Sequence, residues 1–418
     1  GVLKLPQDQS LRMIQCAMFV SGLTTFVQLY PIKIGKFQIG AGLPIVMGTS
    51  FAFVPTAKNI GLQYGLAGVL GGALLGSLVE VVMGFFYKPL KKFFPPLVVG
   101  AVLITIGIHL LKVGVDYFAG GVGSSDYGSP KNLFLGFLVF AVIMSLQRFG
   151  KGMWKISAIL IGLIVGYLVA IPLGKVDFSH ITEAGWLALP VPLVMPWEFE
   201  FHLEAILSFA AIYIVSGLET IGNTSGITIA GFNREATGEE TSGGILADAL
   251  GSTTATLFNA LPNTAFGQNA GIVSMTKVVN KWCIAMGAFV LMGAALFPKI
   301  GAIFNAMPSS VLGGAVITVF AMILINGIKM IAKAGFSERN VIILGVTFGI
   351  GLGLGGDPNV TAQLPGFISF IFKDTVACVC IVSIIANLIF PPSKEDKELA
   401  KAAMLEEEIK EEKALVLE

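Results

Sequence analysis

Glu219, Asp248 and the pair Gln268-Asn269 are the residues best equipped for chemistry, because each stands in a stretch otherwise apolar enough for lipid. A carboxylate inside a bilayer is costly, so an intramembrane acid is a functional candidate by default. Glu219 lies in Ser216-Gly217-Leu218-Glu219-Thr220-Ile221-Gly222-Asn223, where Ser216, Glu219 and Asn223 share one helical face at spacings of three and four. That pattern predicts a site for a solute or a proton. Asp248, in Gly244-Ile245-Leu246-Ala247-Asp248-Ala249-Leu250-Gly251-Ser252, fits either proton exchange or the pinning of neighbouring helices. Gln268 presents a donor and an acceptor on one planar amide, which suits bidentate pairing with a heterocycle edge. Asn269 has the same chemistry, or caps its own helix. Phe51 and Phe53 either stack on a planar ring or pack in the core. Glu80, between Val79 and Val81, reads as a snorkelling side chain or structural pair near a cytoplasmic helix end.

The elements that must position these groups are unusual. Leu261-Pro262-Asn263-Thr264-Ala265-Phe266-Gly267 is polar and helix-breaking, and the sequence predicts an extended piece there, with a helix opening near Gln268 and running through Thr276. Irregular backbone at membrane depth survives only when buried in protein or lining a cavity. Such a helix start turns unpaired amides and a positive dipole end toward a polar or anionic solute.

Composition sets the class. The chain of 418 residues is 55% hydrophobic and 13% charged, with 51 glycines and a mean hydropathy of +0.82. This predicts an all-α polytopic membrane protein. Apolar runs place thirteen spans, near residues 10–31, 41–57, 62–87, 94–113, 132–149, 153–173, 203–230, 242–260, 262–280, 281–298, 308–331, 338–355 and 374–391. The second and ninth are discontinuous. Lys and Arg concentrate on one side, among them Lys88, Lys91, Lys92, Arg148, Lys151, Arg234, Lys277, Lys329 and Arg339, with five more lysines after Ser393. That side is expected to be cytoplasmic, with the C-terminus inside and the N-terminus outside. An external start without Met or signal peptide predicts that a first helix is missing. Residues 394–418 read as a charged cytoplasmic tail.

An internal repeat supports a transporter. Pro95-x-x-Val98-x-Gly100-x-x-x-Ile104-Thr105 recurs as Pro308-x-x-Val311-x-Gly313-x-x-x-Ile317-Thr318, 213 residues on, and Leu43-Pro44 recurs as Leu261-Pro262, 218 residues on. An odd number of helices per repeat inverts the second copy, and inverted repeats hold their site at the repeat interface.

Gln268-Asn269-Ala270-Gly271-Ile272-Val273-Ser274-Met275-Thr276-Lys277 resembles the signature of the nucleobase–ascorbate transporters, the xanthine/uracil permeases. That signature is Gln, Glu or Pro; Asn; any residue; Gly; four residues; Thr; and Gly, Lys or Arg. Every constrained position is met, by Gln268, Asn269, Gly271, Thr276 and Lys277. Glu219-Thr220-Ile221-Gly222 and Leu246-Ala247-Asp248-x-Leu250-Gly251-Ser252 resemble the family's eighth and ninth helices, and the similarity runs from residue 9 to 391.

The resemblance implies a seven-plus-seven inverted repeat with thirteen of fourteen helices present. Its core domain would comprise residues 1–93 and 203–298 and its gate domain 94–173 and 299–393, with an external loop at 174–202. It implies uptake of a nucleobase by proton symport across the cytoplasmic membrane, by alternating access, in a homodimer formed through the gate. Carried over, Glu219 binds the base and couples the proton, and Gln268 is the second contact. Asp248 is needed for transport, Asn269 and Gly267 shape the site, and the backbone near Phe53 completes it. Asn223 occupies a position where relatives often carry Asp or His, so it enters the expected proton pathway. Gln rather than Glu at 268 favours an oxidised purine, xanthine or urate, over uracil.

Other classes fit less well. A net charge of +1 argues against a nucleic-acid partner. His109, His180 and His202 do not cluster with Cys or carboxylates at metal-ligand spacing, and Cys378-x-Cys380 reads as packing, so neither a metal nor a cofactor beyond the proton is expected. An enzyme would need a nucleophile–base pair, which the chain lacks. An inorganic anion or sulfate exchanger of the same fold would normally add a large cytoplasmic domain.

Overall fold

The computed structural model describes residues 5–35, 37–90, 95–192, 199–355 and 375–391, with 360, 363 and 372. The expected tail at 394–418 lies outside the described residues. In chain order the elements are α1 (Gln7–Leu29), β1 (Ile32–Ile34), β2 (Phe37–Ile39), β3 (Met47–Thr49) and a 3-10 turn (Phe51–Phe53) running into α2 (Val54–Leu90). Then come α3 (Pro96–Phe118), α4 (Pro130–Phe149), α5 (Met153–Ile156), α6 (Ala158–Ala170), α7 (Ser179–Glu183), α8 (Leu203–Phe232) and α9 (Gly238–Leu257). β4 (Asn263–Ala265), α10 (Gln268–Thr276), α11 (Lys281–Ala295), α12 (Pro298–Asn305), α13 (Ser309–Ala334), α14 (Glu338–Gly355) and α15 (Thr375–Ile389) complete the described chain.

Each expected span falls on one or more of these helices, but not always as one straight rod. Among the described residues seven helices are long and apolar enough to cross a membrane, or eight if α11 and α12 count as one bent span. The bend is 87°. Pro298, at the first turn of α12, supplies no amide to continue α11, so the run expected as one span from 281 to 298 turns there. The gap expected between the second and third spans, at 58–61, is helical; α2 breaks instead at Gly65, inside the expected third span, where φ of 66° is a conformation that L side chains rarely adopt. Elsewhere local chemistry starts the helices. Ser129 caps α4 by accepting from the Asn132 amide, with Pro130 following. Thr237 and Glu240 form a reciprocal capping box on α9. Arg234 holds the Glu240 carboxyl below its ordinary range.

The chain divides into two compact units, Gly1–Tyr87 with His109–Phe320, and Lys88–Ile108 with Ala321–Glu418. In the second unit, Leu97, Ile331, Ile343 and Ala386 form the core, and Gly100 lets the Gly327 carbonyl approach so closely that an added Cβ would stand 2.8 Å from it. The first unit contains a core of Leu135, Val139, Ile143, Ala158, Ala170, Val311 and Ala315 on α4, α6 and the start of α13. A second cluster, Ala41, Leu43, Ile45, Met47, Ile227 and Ala265, surrounds the broken segments. The repeated motifs adopt matching local structure: Pro95 accepts from the Val98 amide at 2.9 Å and Pro308 from the Val311 amide at 3.0 Å, each at the start of a long helix.

Candidate functional site

The two segments paired by the repeat meet in space. β3 and β4 form an antiparallel two-stranded sheet with Met47 opposite Ala265, Gly48 opposite Thr264 and Thr49 opposite Asn263. Three residues per strand are too few to hold by themselves, and side chains from three helices secure them. Thr25 of α1 accepts from the Met47 amide at 3.0 Å, and Thr24 accepts from the Asn263 side chain at 3.2 Å. Ser252 of α9 donates to the Asn263 carbonyl at 2.9 Å and accepts from its amide at 3.1 Å. Asn223 of α8 donates to the Ala265 carbonyl at 2.7 Å. Every backbone group freed by breaking a helix needs such a partner where lipid supplies none. Ser252→Ala removes both bonds to Asn263 and strands two buried backbone groups, a cost of about 1–3 kcal/mol for each. The expected result is a lower melting temperature of the detergent-purified protein, with uptake falling in parallel; an unchanged transition would show that the strand pair holds without α9.

From this sheet the chain leaves in opposite directions, through the 3-10 turn into α2 and through Gly267 into α10. No side chain caps α10; the Asn269 and Ala270 amides donate to the Phe266 and Gly267 carbonyls at 3.0 and 3.3 Å, and among the described residues the Gly267 and Gln268 amides are left open to a solute or to water. α8 runs parallel beside it: Ser216 approaches Thr264 at 3.3 Å, an added Cβ on Gly267 would stand 2.9 Å from Asn223, and one on Gly226 3.2 Å from Ala270. Glu219 lies one turn before Asn223 on this same face, which sets it ahead of the first residue of α10. It is half-buried, and no hydrogen bond to its carboxylate exists among the described residues. Gln268, at the helix start, is exposed, and its amide too is without a hydrogen bond among the described residues.

The other expected site residues take different parts. Asn269 is buried and donates its side-chain amide to the Pro44 carbonyl, stitching the first broken segment to the second instead of capping α10. Asn223 is engaged with the backbone of β4. Phe53 is 0% exposed, with its ring 4.7 Å from Tyr213 and 6.1 Å from Phe209, so it packs in the core. Phe51 is the 38% exposed ring of the turn and meets Phe320 edge-on at 5.2 Å. Gly271 has open space around its Cα, Thr276 donates to the Ile272 carbonyl at 2.8 Å, and Lys277 ends α10 in the left-handed region at φ 55°.

Asp248 is fully buried and accepts from Ser216 at 3.3 Å and from Thr220. Of the two parts expected of Glu80 the structure shows the second: it is 0% exposed and stands beside Asp248 and Ser216, a structural pair rather than a side chain that snorkels to a surface. Sequence missed Thr220 and Thr264, because a threonine in an apolar helix or loop carries no signal until its partner is known. Among the described residues no group of three His, Cys, Asp or Glu side chains is placed to hold a metal ion.

Comparison with known proteins shows the family and the fold. Residues 2–359 match the family model Xan_ur_permease, described as Permease family. The chain is similar to the "Putative purine permease CPE0397" of Clostridium perfringens, 38% identical over 392 residues that cover 92% of this chain and 84% of the relative. It is similar to the "Xanthine permease" of Bacillus subtilis, 33% identical over 408 residues (97% and 91%), and to that organism's "Uric acid permease PucK", 35% identical over 394 residues (93% and 90%). In fold it is similar to the transmembrane domain of a cyanobacterial bicarbonate transporter, BicA, with a TM-score of 0.59 at 15% identity over 92% of this chain and 94% of that one. The architecture is therefore the seven-plus-seven inverted-repeat transporter fold.

Proposed function

This chain belongs to the Xan_ur_permease family, a family of transporters and not enzymes, and on that premise we propose that it takes up an oxidised purine, xanthine or urate, by proton symport. That it is a multi-pass membrane protein carrying nucleobases follows from the family and its named relatives. The finer reading rests above all on Glu219, a half-buried carboxylate without a hydrogen-bond donor that lies ahead of the uncapped start of α10.

A charged carboxylate buried without donors is unfavourable. A proton removes the charge and makes Glu219 a donor toward a carbonyl or ring nitrogen of the base. A base N–H satisfies it equally well from the other direction. Gln268 then pairs with the opposite edge through its planar amide, and the backbone amides of Gly267 and Gln268, at the positive end of α10, attract an oxo group carrying partial negative charge. Phe51 lies on the turn at the start of α2, where it can cover the face of a planar ring. Residues 1–93 and 203–298 act as the moving core against a gate of 94–173 and 299–393, exposing the site to each side in turn. The C-terminus lies in the cytoplasm, the membrane is the cytoplasmic membrane, and the protein works as a homodimer through the gate.

Uptake of labelled xanthine into proteoliposomes, driven by an inward pH gradient and competed by urate, uracil and sulfate, tests this reading. Xanthine accumulation that collapses with the gradient and is blocked by urate supports it. Preferential competition by uracil would reassign the base, and competition by sulfate alone would reassign the chain to anion exchange.

A further inference from the structure

We infer that Glu80 and Asp248 share one proton, with Glu80 a neutral acid that donates to Asp248 and thereby fixes the helix carrying Glu219. The pairing stands on geometry; its consequence for transport rests on the nucleobase reading above. Glu80 on α2 and Asp248 on α9 are both 0% exposed. The Glu80 carboxyl adjoins Asp248 and Ser216, yet neither of its oxygens nor Asp248 Oδ1 receives a hydrogen bond among the described residues. Asp248 Oδ2, by contrast, is held by both Ser216 and Thr220. The groups that face the pair from α8 are Tyr213, Ser216, Thr220 and Glu219. No Lys, Arg or His is among these neighbours.

Two ionised carboxylates in this place would repel each other, lack water and lack any compensating cation. One proton between them removes one charge and supplies the donor that Asp248 Oδ1 is missing. The site of the proton follows from the hydroxyls. Asp248 already accepts from two of them, which stabilises it as the anion, whereas neither Glu80 oxygen meets a hydrogen-bond donor among the described residues, so Glu80 keeps the proton. The bond ties α2 to α9, which also meet directly through Ser77 and Thr253 at 2.8 Å, and through Ser216 and Thr220 it orients the residues flanking Glu219. Because Asp248 is committed to Glu80, Glu219 is left as the carboxyl that exchanges a proton with the outside, one per solute. Glu80 is thus a positioning residue.

Infrared spectroscopy of the full chain in nanodiscs, at alkaline pH and with H/D exchange, reads the shared proton directly and needs no transport. A protonated-carboxyl C=O band is expected in the wild type and in Glu219→Gln, and is lost in Glu80→Gln. The Gln amide still donates to Asp248, so Glu80→Gln is expected to transport within about threefold of wild type with an unchanged pH profile, whereas Glu80→Leu loses about 30-fold or more. The inference is overturned by a wild type without the band, by a band that survives Glu80→Gln, or by full uptake in Glu80→Leu. It is overturned equally if Glu80→Gln transports but loses its pH dependence, since the pair would then relay the coupling proton. If Glu80→Gln does not fold, the band in wild type and Glu219→Gln decides. Failure of purine uptake leaves the infrared result standing, which separates this inference from the functional reading.

Discussion

Glu219→Gln is expected to abolish proton-driven accumulation of purine, lowering initial uptake at acidic external pH by about 100-fold, equivalent to ~2.7 kcal/mol, while solute exchange at equal pH persists. Glutamine keeps the length and planarity of the protonated acid and keeps a donor, so the base still finds a partner. What it removes is the exchangeable proton. Wild-type uptake should rise as external pH falls, because the protonated carboxyl is the form that donates to the base and crosses with it; in the variant this dependence should flatten. Counterflow of labelled against unlabelled xanthine separates the two losses, since it requires binding and reorientation but no gradient. Unchanged accumulation in Glu219→Gln would sink the coupling role, and loss of counterflow as well would make Glu219 a binding residue alone.

How Glu219 comes to be in that position was largely legible in the sequence, through signals that are local. Pro262 and the small polar residues after it cannot continue a helix in lipid, and the structure starts β4 at Asn263 and α10 at Gln268 as that reading requires. The matching Leu43-Pro44 pointed to a partner segment, which is found as β3 in register with β4. The spacing of Ser216, Glu219 and Asn223 placed all three on the face that meets this sheet.

What was not legible depends on side chains from distant elements. Glu80 looked like an acid near a helix end because its sequence neighbours are apolar; only the packing of α2 against α8 and α9 brings it to Asp248. Phe51 and Phe53 are two residues apart in a 3-10 turn, and hydrophobicity could not decide which ring is buried. The structure gives the core to Phe53 and the partly open position to Phe51. Asn269 was read as a contact or a cap, whereas its amide reaches Pro44 in the first repeat. In each case the ambiguity lay in choosing among chemically equal partners, which tertiary packing resolves.

Gly267→Ala is expected to lower uptake by about 10- to 100-fold, equivalent to ~1.4–2.7 kcal/mol. Gly267 has φ −61° and ψ −27°, an ordinary helical conformation that alanine adopts freely, so backbone strain is not the cause. Space is. An added Cβ would stand 2.9 Å from Asn223 Oδ1. A mobile side-chain end would swing aside at little cost, but the Asn223 amide is bonded to the Ala265 carbonyl at 2.7 Å. The methyl therefore either breaks that bond or pushes the start of α10, and Gln268 with it, away from α8. Both outcomes displace Gln268 relative to Glu219. A double-mutant cycle isolates the cause. If the clash acts through Asn223, adding Gly267→Ala to Asn223→Ala should cost little beyond the loss from Asn223→Ala alone. Additive losses would instead mean that Gly267 is required for close approach of the solute to the backbone at the helix start.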